Sequence, residues 1–67
     1  MYTLEEIKNG EGEIKSQRVT RVWELTKNGK PTGEYDTICD DGSTPALDEG
    51  YGYRWVGYIS GGRFSEV

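Results

Sequence analysis

The chain has no histidine and a single cysteine, Cys39. An internal disulfide and a His/Cys zinc site are therefore excluded, the two staples on which small domains most often rely. Uninterrupted apolar stretches run for only a few residues, far short of the ~20 that a membrane-spanning helix needs. A basic start followed by an apolar run, the pattern of a secretory leader, is missing as well. These absences set the expectation of a cytoplasmic protein with no membrane partner. Catalysis is also not expected. Without histidine, with Cys39 in a strand that offers no identifiable base, and with no lysine motif beside the serines and threonines, there is no nucleophile and base to pair. Cys39 reads as a small core hydrophobe. The expectation is no enzyme, no catalytic residue, no cofactor and no metal.

Apolar residues are scarce too, 33% of 67 positions. A chain of this length forms one domain, residues 1–67, that buries only about 60% of its unfolded surface. With neither staple available, self-association is the remaining route to extra stability. Basic charge is in deficit: eight Lys and Arg face twelve Asp and Glu, a formal charge of −4, which counts against binding that depends on neutralising phosphates. The imbalance is local. Residues 1–33 hold six basic and five acidic groups, whereas residues 34–67 hold two basic groups, Arg54 and Arg63, and seven acidic ones.

What the chain does have is alternation. From Arg18 to Asp40 two alternating runs flank Lys27-Asn28-Gly29-Lys30-Pro31-Thr32-Gly33, a β-hairpin pattern. Val19, Trp23 and Leu25, with Tyr35 and Cys39, would form its apolar face, and Val22 and Ile38 would mark the other. A seven-residue loop sets Thr26 opposite Glu34, Leu25 opposite Tyr35, Trp23 opposite Thr37 and Val22 opposite Ile38. Glu24 then meets Asp36, an unfavourable pair.

The segment Met1 to Gly12 supports two readings. Thr3 and Glu6 form a capping-box pattern, Leu4 and Ile7 share a helical face, and Asn9-Gly10 can stop a helix. Alternatively, Asn9-Gly10 is a hairpin turn joining Tyr2–Lys8 to a strand near Glu11. The repeat of Lys-Asn-Gly at Lys8-Asn9-Gly10 and Lys27-Asn28-Gly29 favours the strand. From Glu13 to Thr26 there is no Gly or Pro, which predicts one long strand bent at Ser16-Gln17. Asp40 to Gly50, with Pro45, reads as a loop. Tyr51 to Ser60 and Arg63 to Val67 flank Gly61-Gly62, a type I′ turn pattern that sets Ile59 opposite Phe64, Tyr58 opposite Ser65 and Val56 opposite Val67. Strict alternation groups Trp55, Ile59 and Phe64 on one face and Val56, Tyr58 and Val67 on the other. Short connections favour a meander. The fold expected is all-β: a small twisted antiparallel meander or open barrel of 5–6 short strands, with one N-terminal helical turn at Thr3 to Lys8 as the option.

The acidic pairs Asp40-Asp41 and Asp48-Glu49 read first as solvated turns. Asp40-Asp41-Gly42-Ser43 lacks the alternating ligands and closing glutamate of an EF-hand. The most unusual composition is Gly50-Tyr51-Gly52-Tyr53-Arg54-Trp55-Val56-Gly57-Tyr58. Its centre, Gly50-Tyr51-Gly52-Tyr53, partly resembles the RNP1 motif of RRM and cold-shock domains, which would imply base stacking. Glu49 stands where that motif has a basic residue, and Arg54 where it has a branched aliphatic one. Tyrosine, tryptophan and arginine are equally the residues enriched at protein interfaces. The leading functional expectation is a non-enzymatic acidic protein-binding module, an inhibitor or adaptor similar in size and composition to phage or mobile-element proteins that block a host protein. Tyr51, Tyr53, Arg54, Trp55 and Tyr58 would make the contact, and Asp40, Asp41, Asp48 and Glu49 would steer a basic partner. The alternative is a homo-oligomer that binds a nucleotide or short single strand, stacking bases on the same aromatics and holding phosphate with Arg18, Arg21 and Arg54.

Overall fold

The computed structural model describes residues 1–38 and 47–67. Among them the chain forms one short helix, α1 (Leu4–Lys8), and four strands, β1 (Thr20–Lys27), β2 (Lys30–Ile38), β3 (Tyr51–Ser60) and β4 (Arg63–Glu66). The strands make one antiparallel sheet in the order β2-β1-β3-β4, curled into a half-barrel. The fold is mostly β, with four strands where the sequence pattern suggested five or six.

One expected strand is not there and another is shortened, each for a local reason. Tyr2–Lys8 is not a hairpin arm, because the capping box forms instead: the Thr3 hydroxyl accepts from the Glu6 amide (3.2 Å) and the Glu6 carboxylate accepts from the Thr3 amide (2.8 Å). Two donors at the helix start are thereby satisfied, and Gly10 at φ +79° closes the far end. The strand forecast from Glu13 begins only at Thr20, since residues 15–18 turn and the Ile14 amide bonds to the Thr20 hydroxyl (2.7 Å).

The first hairpin forms with a different register from the one expected. Asn28 and Gly29 both take positive φ, 53° and 80°, so they make a two-residue turn that pairs Lys27 with Lys30. Beyond it Thr32, Gly33 and Glu34 bulge against Leu25 alone, held by the Thr32 hydroxyl donating to the Leu25 carbonyl (2.7 Å). The ladder resumes with Glu24 opposite Tyr35, Trp23 opposite Asp36 and Val22 opposite Thr37, one residue away from the pairing that a seven-residue loop would give. A shift of one turns every side chain of β2 to the other face. Tyr35 therefore lies on the side of Val22, and Glu24 escapes the repulsion of Asp36.

The order is not a meander. β2 and β3 both run antiparallel to β1 and lie on either side of it, so they are parallel to each other. The chain must return the length of the sheet between them, and residues 39–50 make that connection. At its end the Asn28 amide donates to the Gly50 carbonyl (2.7 Å). Gly61-Gly62 turns β3 into β4 in the expected register, with Ile59 opposite Phe64 and Tyr58 opposite Ser65.

The core lies on the inner face of the half-barrel. Ile7 of α1 packs on Val22 and Ile59, all three fully buried, with Tyr2, Tyr35, Val56 and Phe64 around them. A backbone bridge from Tyr2 to Tyr35 (2.8 Å each way) ties the N-terminal segment to β2, and the Gly62 amide donates to Glu13 (2.6 Å) beside β4. The inner face is thus capped, while on the outer one Leu25 is buried in a groove shared with Met1 and Leu47, and Trp55 and Tyr58 stay exposed. No described helix is long and apolar enough to cross a membrane.

Candidate functional site

The outer face owes its composition to one irregularity in β3. The β1–β3 ladder steps from Val22–Gly57 to Trp23–Trp55, leaving Val56 as an extra residue. Such a bulge reverses the alternation on its far side. Trp55 and Tyr58, which strict alternation would set on opposite faces, come to the same one, and Ile59 turns inward with Phe64. Trp55 stands 6.5 Å from Trp23 and 6.5 Å from Tyr58, the rings tilted by 37° and 35°. The grouping of Trp55 with Ile59 and Phe64 is thereby corrected.

Cross-strand pairing extends this patch into a stripe. Arg21 lies opposite Tyr58, Leu25 opposite Tyr53 and Lys27 opposite Tyr51. The Arg21 guanidinium sits 5.5 Å from the centre of the Trp55 ring and the Lys27 ammonium 5.4 Å from that of Tyr51, both within cation–π range. Trp55 is 42% exposed and Tyr58 38%. Two polar tips on the stripe are already engaged: the Trp55 indole N–H donates to the Gly57 carbonyl (2.9 Å) and the Tyr53 hydroxyl to Asp36 (3.0 Å). Burial, followed by that hydrogen bond and the charge of Asp36, pushes the Tyr53 hydroxyl up to about 12.

At the Tyr51 end the stripe runs into a groove of about 330 Å³ lined by Met1, Leu25, Glu34, Leu47, Asp48 and Tyr51. Apolar walls and two carboxylates meet there, a setting suited to a side chain with an apolar stem and a cationic head.

Of the residues singled out in the sequence, Tyr51, Tyr53, Trp55 and Tyr58 share this face. Asp48 and Glu49 are exposed in the turn that leads into β3. Asp40, Asp41 and Cys39 lie outside the described residues. Arg54 does not join the aromatics. It turns to the inner face, where its guanidinium donates to Glu24 (2.7 Å), a carboxylate only 4% exposed. That bond raises the Arg54 pKa, and burial with the nearby Glu24 charge raises that of Tyr35. Leu4, Val56, Phe64 and Glu66 line a groove of about 250 Å³ that lies beside this cluster and also reaches Trp55 and Val67.

Sequence reasoning missed Trp23, Lys27, Glu34 and Leu47 as members of the site, and placed Arg21 beside the aromatics only in the single-strand alternative. Trp23, Arg21 and Lys27 are linked to the aromatic run by the non-sequential β1–β3 pairing, for which local alternation carries no signal, and Glu34 and Leu47 by the groove they share with Tyr51. No group of three or more His, Cys, Asp or Glu placed to hold a metal occurs among the described residues. No protein-family model, no curated protein and no solved structure matches the chain.

Proposed function

We propose that the chain is a non-enzymatic protein-binding module, an inhibitor or adaptor of the phage or mobile-element type that works in the cytoplasm and occupies a basic surface of a host protein. The observation that carries this reading is the outer stripe of Trp23, Trp55, Tyr58 and Tyr51, ending in the groove edged by Glu34 and Asp48. Large, rigid, partly exposed aromatics are the residues that dominate binding energy at protein interfaces. Carboxylates beside them raise the association rate with a basic partner more than they deepen the complex. The single-strand alternative draws on the same rings and on the cations stacked over Trp55 and Tyr51; the overall charge of −4 weighs against it.

The test is capture from lysate of the native host with the tagged chain, followed by native mass spectrometry and the 260/280 nm absorbance ratio. One stoichiometric protein, retained by the wild type and lost by Trp23→Ser, with low 260 nm absorbance, is the expected result. Nucleotide or nucleic acid retained by the wild type, with binding that falls steeply as salt rises, would instead establish the alternative.

A further inference from the structure

We infer that the Asn28-Gly29 turn is a self-modification site, at which the Gly29 nitrogen displaces ammonia from the Asn28 side chain and water opens the resulting ring to an aspartate or isoaspartate. The same dipeptide at Asn9-Gly10 is held shut by the fold. This chemistry does not depend on the target-binding reading.

Both asparagines of the chain are followed by glycine, the neighbour that crowds the attacking nitrogen least. In the sequence the two sites are equivalent, and the structure separates them. In the reaction the Gly29 amide gives up its proton to water or hydroxide and its nitrogen bonds to the Asn28 Cγ. The Cγ–Nδ2 bond breaks and ammonia leaves with the proton. Water then adds to Cγ or to the Asn28 main-chain carbonyl carbon and breaks that carbon's bond to the nitrogen, which regains its proton. One water is consumed and one ammonia released, with no change of oxidation state.

Ring closure eclipses the Asn28 Cβ with the Gly29 nitrogen and so fixes ψ of Asn28 at about −120°, the value at the first central residue of a type II′ turn. The φ of that residue is about +60°, and Asn28 already stands at 53°. Asn28 and Gly29, both at positive φ, therefore pass from a type I′ to a type II′ turn by flipping the single peptide between them. The flip requires Gly29 to leave φ +80° for a negative value. Glycine takes either sign, and no atom lies within 4 Å of where a Gly29 side chain would begin. Both turn types suit a two-residue hairpin, so Lys27 stays opposite Lys30 and the Asn28 amide keeps its bond to the Gly50 carbonyl (2.7 Å). Among the described residues the Gly29 amide donates to no carbonyl. Lys27 and Lys30 flank the turn, and their charges favour both the deprotonated nitrogen and the carboxylate that follows.

Asn9 has none of these freedoms. It caps α1 at φ −84° and ψ 0°, and that φ combined with a ψ of about −120° lies outside the allowed regions. Its own amide is held by the Glu5 and Glu6 carbonyls (3.1 Å each), and the nitrogen that would attack donates to the Ile7 carbonyl (2.9 Å). A side chain at Gly10 would begin only 2.8 Å from the Gly62 carbonyl oxygen, so the peptide has no room to turn.

Conversion at position 28 adds one negative charge to the chain's −4, at the end of the stripe where Lys27 sits over Tyr51. The isoaspartate form also inserts an extra carbon into the main chain of a two-residue turn.

The test follows the purified whole chain over time at mildly alkaline pH, folded and, in parallel, unfolded in urea. Trypsin separates the two sites into the peptides Asn9–Lys15 and Asn28–Arg54, and the mass gained when NH2 is replaced by OH locates the event. A zero-time sample carried through the same digestion sets the baseline. In the folded chain the Asn28 peptide should convert about tenfold faster than the Asn9 peptide, the factor that one broken hydrogen bond is worth. In urea the two should convert at matching rates. An Asn28 that stays unchanged in the folded chain while the unfolded chain converts overturns the inference. So does an Asn9 that keeps pace with Asn28 in folded protein.

Discussion

Trp23 and Trp55 are direct partners across β1 and β3, their rings 6.5 Å apart and tilted by 37°. They meet because the β3 bulge absorbs Val56 one residue before Gly57 takes its place opposite Val22. The pair marks the centre of the outer face and the point at which the two ends of β3 change sides.

A double-mutant cycle on Trp23→Ala and Trp55→Ala measures that contact. Aromatic pairs of this geometry couple by about 0.5–1.5 kcal/mol beyond the area they bury. Urea denaturation at one fixed protein concentration should return a favourable coupling of that size. Additive losses would mean that the rings do not meet in solution.

Gly57 is needed for the attachment of β4. A methyl group at this position would run into the Ser65 carbonyl, and it would also press on Phe64 and Glu66. Gly57→Ala should destabilise the protein by about 1–3 kcal/mol, the usual cost of overpacking. Amide exchange should rise first in Phe64–Glu66, with β1 and β2 protected longest. By contrast, Gly29→Ala meets no neighbour within 4 Å and bears only the strain of its positive φ.

The Glu24–Arg54 pair predicts an asymmetric mutational response. Arg54→Ala leaves a buried carboxylate without its cation, whereas removing both charges leaves none. Arg54→Ala should lower the denaturation midpoint at pH 7, and adding Glu24→Leu to it should restore much of the loss. A double variant less stable than Arg54→Ala alone would show that the pair has a net stabilising role.

Alkaline pH should loosen the outer face through Tyr53. Its folded pKa, about 12, stands above the ordinary value of 10.0, so the neutral hydroxyl is the form that the fold favours. The stability it contributes is complete below pH 10 and is lost as pH rises toward 12. Absorbance at 295 nm should show a late-titrating phenol that Tyr53→Phe removes. The same substitution should flatten the decline in stability across that window.

The glutamate in the N-terminal segment responds to acid in the opposite sense. Bonds from Lys15 and from the Gly62 amide hold the Glu13 carboxyl below its ordinary value of 4.5. Its contribution is present above that pH and fades as pH falls through the lowered pKa. Glu13→Gln should therefore flatten the acid limb of the stability profile, and the Gly62 amide should exchange faster in that variant at pH 7.

Short-range chemistry was legible in the sequence. Thr3 and Glu6 encode a helix start, Gly61-Gly62 encodes a hairpin with its register, and alternation in Arg18–Asp40 encodes two strands. The echo between Lys8-Asn9-Gly10 and Lys27-Asn28-Gly29 misled, since the same tripeptide ends a helix at one place and turns a hairpin at the other. Which outcome holds depends on what precedes it: a capping box before the first, an eight-residue alternating strand before the second. The tight Asn28-Gly29 turn and the bulge at Thr32–Glu34 were hidden inside a stretch that Pro31 and Gly33 made look like one long loop.

The sequence by itself determined a mostly β, acidic domain without histidine, with aromatics concentrated in Tyr51–Tyr58. Only the tertiary structure decided which of those aromatics face together and what stands beside them. A bulge exists relative to a partner strand, and the partner of β3 is β1, more than twenty residues away and not its neighbour in sequence. Until that ladder forms, Val56 is one more apolar residue in an alternating run. Once it forms, Trp55 and Tyr58 join Trp23 on the outside, and Arg54 turns inward to the buried carboxylate of Glu24.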